Sequence, residues 1–495
     1  MKREALEVRR HGMSLESDVS RVIMKPFSPV GPSSPGYESR MRGLVLRGAK
    51  LSDADARRIL DDVRREFAGR HRDIETKFQE GFERAKEFLP PGVALSSSQR
   101  LLIGSYLVCE YSLEAAALFN PSIVPHPDQH GVLAGGLRFI MSLRATGEGH
   151  ISSIEFRTGI INAKGEVTLD PAGKFVSTPT INPDPVFTAS DFFIKLELED
   201  RRNSSMKEIV RSLRPRFSRS ELVSFLERRR RKGGKLSAGA KRALGSLESL
   251  LELNYEINFP DAIPLSERAI FPVSSFEANG IEDARFVRFT EAIGDAVYYA
   301  TYTAYDGKII MPLLLETADF VRFRIHSLSG EAARNKGMAL FPRKVNGRYA
   351  AVSRHDAENL YLAYSDNISE WNSPMPLLQP SAFWEFTQIG NCGSPIETDK
   401  GWILLTHGVG PVRKYCIGAI LLDRDNPERV IGRLDEPLIA PDASEREGYV
   451  PNVVYTCGAI AHNGRLIIPY AMSDRATRMA SVSIPELLTK MLSNQ

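Results

Sequence analysis

The sequence predicts a mainly β protein with a helical N-terminal region and one helical insertion. Three observations predict it. Short β-rich runs recur from Phe119 towards the C-terminus without long helices between them, capped helical spacing is concentrated in the first quarter, and one stretch at about 201–253 interrupts the strands with charged helical segments. Recurring strands of this kind build a sandwich, a barrel or a propeller. The change of texture divides the chain into an N-terminal arm and helical region, 1–115, and a strand-rich domain, 116–495.

Residues 1 to about 45 carry Pro and Ser clusters (PFSPVGPSSPG) and no sustained period, which predicts an extended arm. Ser52 and Asp55 then precede apolar residues at Leu60, Val63, Phe67, Ile74, Phe78 and Phe82, so a capped helical stretch runs until Pro90 and Pro91 stop it. A second helical stretch is expected from Gln99 to Ala117. Beyond it, LRFIMSLRA, HISSIEFRTGII, AVYYATYTAYDG, RYAAVSRHD, NLYLAYSD, GWILLTHGV, CIGAILLD and RLIIPYAMSD read as strands separated by turns. In the insertion, ELVSFLERRRRKGGK and ALGSLESLLEL read as charged helices. The basic run Arg228 to Lys232 has no interleaved aromatic residues for stacking on bases and reads as a solvated helix end.

At 495 residues the chain has room for two or three domains, and its 42% hydrophobic and 25% charged content is that of a globular protein. The net charge of +3 is too small to supply a general field for nucleic acid, so any basic site is local. The opening MKREALEVRR lacks the apolar region of a secretory signal, and no run reaches the roughly 18 apolar residues of a membrane span. A cytoplasmic protein with no membrane or nucleic-acid partner is the expectation. Cys109, Cys392, Cys416 and Cys457 are far apart and form no C-x-x-C pair, so reduced, mostly buried thiols are expected, with no metal site or disulfide framework.

The densest cluster of chemistry is Asn279-Gly280-Ile281-Glu282-Asp283-Ala284-Arg285, between two strand-like stretches. Adjacent carboxylates beside an arginine suit acid/base work, because burial and neighbouring charge separate their pKa values. A surface turn with a local ion pair is the plainer alternative.

The order of further segments narrows the choice. Thr301 to Gly307 (TYTAYDG), Ala339 to Arg354, Ser365 to Trp371, Trp384 to Val409 (ending THGV), Ile417 to Arg433 and Glu445 to Ile460 resemble glycoside hydrolase family 130, the β-mannoside phosphorylases and β-mannosidases. The resemblance covers roughly residues 119 to 485 outside the insertion. It implies a five-bladed β-propeller with the sugar site in its central depression. It also implies that Asp283, the Asp of G-x-E-D, is the catalytic acid; Ala284 stands where the family usually has Pro.

The resemblance further implies a phosphate site from Lys336, Arg354, His407 and Tyr415, and sugar contacts from Asn120, Ser122, Arg144, Asn279 and Asp474, with Trp384 and Tyr305 as aromatic candidates. The segment Asn335-Lys336-Gly337-Met338 lacks the Asp that follows the basic residue in familiar phosphorylases, and His355-Asp356 replaces a Pro after Arg354. An inverting hydrolase needs a second carboxylate to activate water, whereas a phosphorylase needs cations to hold phosphate. The expected activity is inverting phosphorolysis of β-mannosides to α-mannose 1-phosphate by a glycoside phosphorylase, with inorganic phosphate as co-substrate and no other cofactor. An inverting β-mannosidase using Glu358 or Glu385 as base is the alternative, and a carbohydrate-binding propeller without turnover is a third reading. A homo-oligomer is compatible with all three.

Overall fold

Arg9–Leu15, expected within an extended arm, is a strand in the computed structural model, paired antiparallel with Ala476–Ser483 near the C-terminus. Alternating side chains at His11, Met13 and Leu15 are half-buried, and Met13 and Leu15 pack on an apolar cluster that includes Ile467 and Met479. The structure describes residues 6–189, 192, 212, 214–231, 237–291 and 296–493. Among them no helix is long and apolar enough to cross a membrane.

The chain divides into two units, one of Asp18–Ala115 with Ala172–Thr178 and one of Met1–Ser17, Ala116–Pro171 and Pro179–Gln495. The first 17 residues thus join the strand-rich unit, unlike the 1–115 division expected from composition. Pairing with Ala476–Ser483 is the reason.

The smaller unit is helical, with helices Tyr37–Ala49, Asp53–Phe67, Ile74–Ala85 and Ser97–Ser105. The single stretch expected from Leu51 to Pro90 is broken at Gly69, and Asp73 starts a new helix by accepting from the Thr76 N–H. Ser96 and Gln99 form a capping box at the last helix. That helix ends at Ser105 rather than Ala117, because Val108–Ser112 pairs antiparallel with Val22–Pro26. A Cβ at Gly104 would lie 1.8 Å from the Phe78 carbonyl oxygen, so only glycine permits this backbone contact between two helices.

Among the described residues the larger unit contains five antiparallel sheets of four to six strands that follow one another along the chain, besides a two-stranded pair, Val186–Thr188 with Arg216–Ser218, at the insertion. The first contains Ala117–Pro125, Leu137–Thr146, Ser152–Ile161 and Ala269–Ile270. The second runs through Ile281–Thr290, Ala296–Tyr305, Ile310–Thr317 and Arg322–Ser327, and is extended by Tyr255–Asn258 and Thr180–Ile181. The third is Ala339–Leu340, Tyr349–Ser353, Leu360–Ser365 and Met375–Leu378, and the fourth Gln388–Asn391, Gly401–Val409, Tyr415–Leu422 and Val430–Arg433. The fifth joins Val454–Tyr455, Arg465–Met472 and Ala476–Ser483 to the N-terminal strand. Apolar clusters fill the spaces between consecutive sheets, as where Leu340 and Ala351 meet Val287 and Tyr299.

Three of the connections repeat one device. Glu277, Glu385 and Glu445 are buried, and each carboxylate accepts from the backbone N–H three residues earlier, at Ser274, Ala382 and Asp442. Buried carboxylates must be paired to be tolerated. Glu277 is met by Tyr255 and Tyr302, Glu385 by Arg433, and Glu445 by Tyr470 and Arg478.

The described part of the insertion is helical over Arg219–Arg231 and Ala238–Leu253, preceded by a short strand Arg216–Ser218. Arg228 to Arg231 occupy the last turn, and Arg230 and Arg231 pair with Glu248 and Glu227 at the surface. Lys232 and residues 201–211 lie outside the described residues.

Candidate active site

Asp283 stands at a bulge of the Ile281–Thr290 strand, where the register with its neighbour shifts between Glu282 and Arg285 and its own φ is +55°. Gly280 enters this turn at φ +119°, and a Cβ there would lie 2.6 Å from the Ser152 nitrogen, so the approach requires glycine. The bulge turns the Asp283 carboxylate towards the first sheet, whose Ala117–Pro125 strand has a bulge of its own at Asn120, φ +48°. Asn120 Nδ2 donates to Asp283 Oδ1 at 2.7 Å, and Arg144 Nη1 lies 3.5 Å from the same oxygen. Arg285 donates from Nη1 to the Asp283 carbonyl oxygen at 2.8 Å, and its Nη2 lies 4.0 Å from Oδ2.

Burial acts to raise the Asp283 pKa, but the opposing charges of Arg144, Arg285 and Lys336, with the Asn120 hydrogen bond, outweigh it and hold the carboxyl below its ordinary value. The environment therefore stabilises the conjugate base that proton donation leaves behind. Glu282 lies alongside, held by Arg144 Nη2 at 2.8 Å and by an ion pair with Lys336. Asp474, at φ +50° in the turn after Arg465–Met472, behaves oppositely. Burial pushes it up to about 6 against the pull of Arg144, with the charge of Asp283 adding to the rise.

Two cationic side chains flank this group. Lys336 reaches Glu282, and Arg354 donates from Nη1 to His407 Nε2 at 3.3 Å. A Cβ at Gly337 would lie 2.8 Å from Arg354 Nε, and one at Gly390 would lie 2.7 Å from Arg354 Cδ and 2.5 Å from His407 Cε1, so two glycines form the slot for the guanidinium stem. His407 is completely buried, and burial together with Arg354 and Arg285 drives its pKa well below the ordinary imidazole value. It is thus a neutral acceptor behind Arg354. Tyr415 stacks on His407 at a ring separation of 6.0 Å, and Tyr455 meets it edge-on at 5.0 Å.

Asn120, Arg144, Asp283, Lys336, Arg354, His407, Tyr415 and Asp474 are linked in this way by contacts or by mutual electrostatic influence. Ser122 is not available to a ligand, because it is buried and its hydroxyl accepts from the Phe286 N–H. Asn279 is exposed beside Gly307 at the start of its strand. Trp384 is core: its indole fills a space bounded by Gly408, Gly410 and Gly418, and its Nε1 donates to the Asp435 carbonyl. The Tyr305 hydroxyl donates to the Gly307 carbonyl. Glu385 is the buried cap described above. Glu358 is exposed, and Asp356 caps its turn by accepting from the Glu358 and Asn359 N–H groups.

Sequence reasoning missed the roles of Glu282, Arg285 and Tyr455. Arg285 is buried, with Nε on the Cys392 carbonyl at 2.9 Å and Nη2 on the Tyr455 hydroxyl at 2.6 Å, so it ties the acid's strand to two other sheets. Its position two residues after Asp283 was the available signal. Among the described residues no group of His, Cys, Asp and Glu is arranged to hold a metal ion.

The family described as β-1,4-mannooligosaccharide phosphorylase matches residues 256–493. A 1,2-β-oligomannan phosphorylase of Thermoanaerobacter sp. is 32% identical over 219 residues, which are 43% of this chain and 71% of that protein. A β-1,2-mannobiose phosphorylase of Listeria innocua is 29% identical over 45% of this chain and 63% of its own length. The solved structure of a β-1,2-mannobiose phosphorylase from Listeria innocua, in complex with β-1,2-mannobiose, aligns over 77% of this chain and 93% of its own, at 21% identity and a TM-score of 0.46. The Asp283 bulge, the Arg354 slot and the Asp474 turn all lie within the matched residues 256–493, and the chain belongs to glycoside hydrolase family 130.

Proposed function

We propose that this protein is a glycoside phosphorylase that cleaves β-mannosides with inorganic phosphate, inverting the anomeric centre to give α-mannose 1-phosphate. The family and the phosphorylase relatives support the reaction class. The observation that carries the choice over hydrolysis is the pairing of Asp283 with cations rather than with a second catalytic carboxylate. Lys336 and Arg354 flank the acid's cluster, while Glu385 is consumed as a buried cap and Glu358 is exposed.

In this reading a phosphate oxygen held by Arg354 and Lys336 attacks C1 of the mannosyl residue as the glycosidic C1–O bond breaks. The departing oxygen takes the proton of Asp283, directly or through a substrate hydroxyl, and the carboxylate left behind is held by Arg144, Arg285 and Asn120. Phosphate attacks from the face opposite the leaving group, so the β-mannoside gives an α-phosphate. Asp474 and Arg144 accept and donate hydrogen bonds to the mannosyl hydroxyls. In this reading the five sheets are the blades of a five-bladed β-propeller, with the N-terminal strand completing the last blade.

The test is the product released from a panel of β-mannobioses with and without phosphate. Mannose 1-phosphate formed only with phosphate supports the reading, and free mannose at equal rate in both buffers replaces it with the β-mannosidase.

A further inference from the structure

Two loops from different sheets meet beside the acid's cluster. The tip of the hairpin joining Leu137–Thr146 to Ser152–Ile161 holds Gly149 and His150 in left-handed backbone, at φ +67° and +61°. The loop that leads to Val454–Tyr455 carries Tyr449, which is 63% exposed. The two rings stack at 5.4 Å with an interplanar angle of 29°. His150 is exposed as well, so the contact belongs to no apolar cluster and most of both rings stays open to solvent.

Both loops stand directly on site residues. At the base of the hairpin Ser152 Oγ accepts from Arg144 Nε at 2.9 Å, and Arg144 reaches Asp283. The Tyr449 loop rests on Ser473, next to Asp474: the Val450 N–H donates to the Ser473 carbonyl at 3.1 Å, and a Cβ at Gly448 would lie 2.3 Å from that oxygen. An aromatic face that is solvent-exposed and anchored on both sides of a sugar-binding cluster is suited to the C–H face of a pyranose ring, which is apolar and flat on the scale of the stack.

We propose that His150 and Tyr449 form the platform for the leaving-group sugar, the pyranose ring on the far side of the bond that Asp283 cleaves. The proposal rests on the phosphorylase reading, because that reading places the mannosyl ring and phosphate on the Asp283, Arg354 and Asp474 side. The platform then receives the ring outside them.

The synthetic direction separates the two. With α-mannose 1-phosphate as donor and mannose or a β-mannobiose as acceptor, the C1–O bond to phosphate breaks, the acceptor hydroxyl oxygen bonds to C1, its proton passes to the Asp283 carboxylate, and phosphate leaves. Only the acceptor would touch the platform. Tyr449→Ala should raise KM for the acceptor roughly 3- to 10-fold, the range of one aromatic contact, with KM for mannose 1-phosphate unchanged. Tyr449→Phe, which keeps the ring, should restore the acceptor KM. An unchanged acceptor KM in Tyr449→Ala, or an equal rise for donor and acceptor, overturns the platform while wild-type turnover leaves the phosphorylase reading standing. Absence of phosphate release by the wild-type protein would end that reading, and the platform with it.

Discussion

Asn120 and Asp283 both adopt left-handed backbone within strand bulges, and their side chains join through a 2.7 Å hydrogen bond. Each bulge alone merely redirects one side chain. Facing one another across two sheets, they aim the carboxylate at the same point as Arg144, which a regular pleat would not do. Left-handed backbone in a residue other than glycine costs energy and persists where surrounding structure enforces it. Here the Arg285 bond to the Asp283 carbonyl supplies that enforcement.

Asp283→Asn should lower turnover by about 10² to 10⁴, the usual worth of general acid help, because the amide keeps the shape but delivers no proton. The fold should stay intact, with a melting temperature lowered at neutral pH by loss of the carboxylate's stabilising pairing with Arg144 and Arg285, and close to that of the wild type in acid. Steady-state rates and a thermal melt check both, and wild-type-like turnover would remove Asp283 from the mechanism.

Arg354→Ala should raise the KM for phosphate by roughly one to two decades, since a charge-assisted hydrogen bond contributes about 1.5 to 3 kcal/mol. Gly390→Ala should do likewise without touching a charge, because the new methyl would collide with Arg354 Cδ and His407 Cε1. KM for the mannoside should move far less in both variants. A mannoside KM that rises in step with that for phosphate would contradict a dedicated anion site.

The acid and Asp474 should leave opposite marks on pH dependence. Asp283 is held below its ordinary value, so its protonated fraction in the free protein falls early as pH rises, and kcat/KM should decline from the acidic side. Its contribution to stability is present above the unfolded pKa and is lost as pH falls through the lower folded value. Asp474, raised to about 6 from 3.8, contributes stability that is complete below 3.8 and is lost as pH rises through about 6. Asp474→Asn should therefore be more stable than the wild type at pH 8, on the order of 1 to 3 kcal/mol, with the difference vanishing near pH 4. Denaturant titrations at the two pH values test the sign.

Glu358→Gln should retain wild-type phosphorolysis, since its side chain is exposed. Glu385→Ala should instead destabilise the fold by about 2 to 4 kcal/mol, because it strands Arg433 and two backbone N–H groups at a buried turn. Loss of activity in Glu358→Gln with the melting temperature unchanged would favour a hydrolytic base.

Much of the strand-rich unit was legible because each strand carries its own alternation and turn residues, and the order of motifs marked Asp283, Arg144, Arg354 and Asp474. The N-terminal strand was not legible: RRHGMSL is a weak strand by itself and forms because Ala476–Ser483 offers it an edge more than 400 residues away. Trp384 read as a sugar-facing aromatic or as core, and Glu385 as a hydrolytic base or a loop-ordering residue, until Gly408, Gly410 and Gly418 and the buried cap appeared around them. His407 was legible as a position but not as a charge state, because the burial and the neighbouring Arg285 and Arg354 that keep it neutral come from other sheets. Arg285 was legible beside the acid but not in its role, for a related reason. Its partners Cys392 and Tyr455 are distant in sequence and meet it only after folding.

The most direct test of the central claim is proton and phosphorus NMR of a β-mannobiose incubated with the protein in phosphate buffer, following the first anomeric product. Attack by phosphate held beside Lys336 and Arg354 predicts α-mannose 1-phosphate as that product, forming at the rate at which inorganic phosphate disappears. Free α-mannose appearing first, with inorganic phosphate unconsumed, would contradict it.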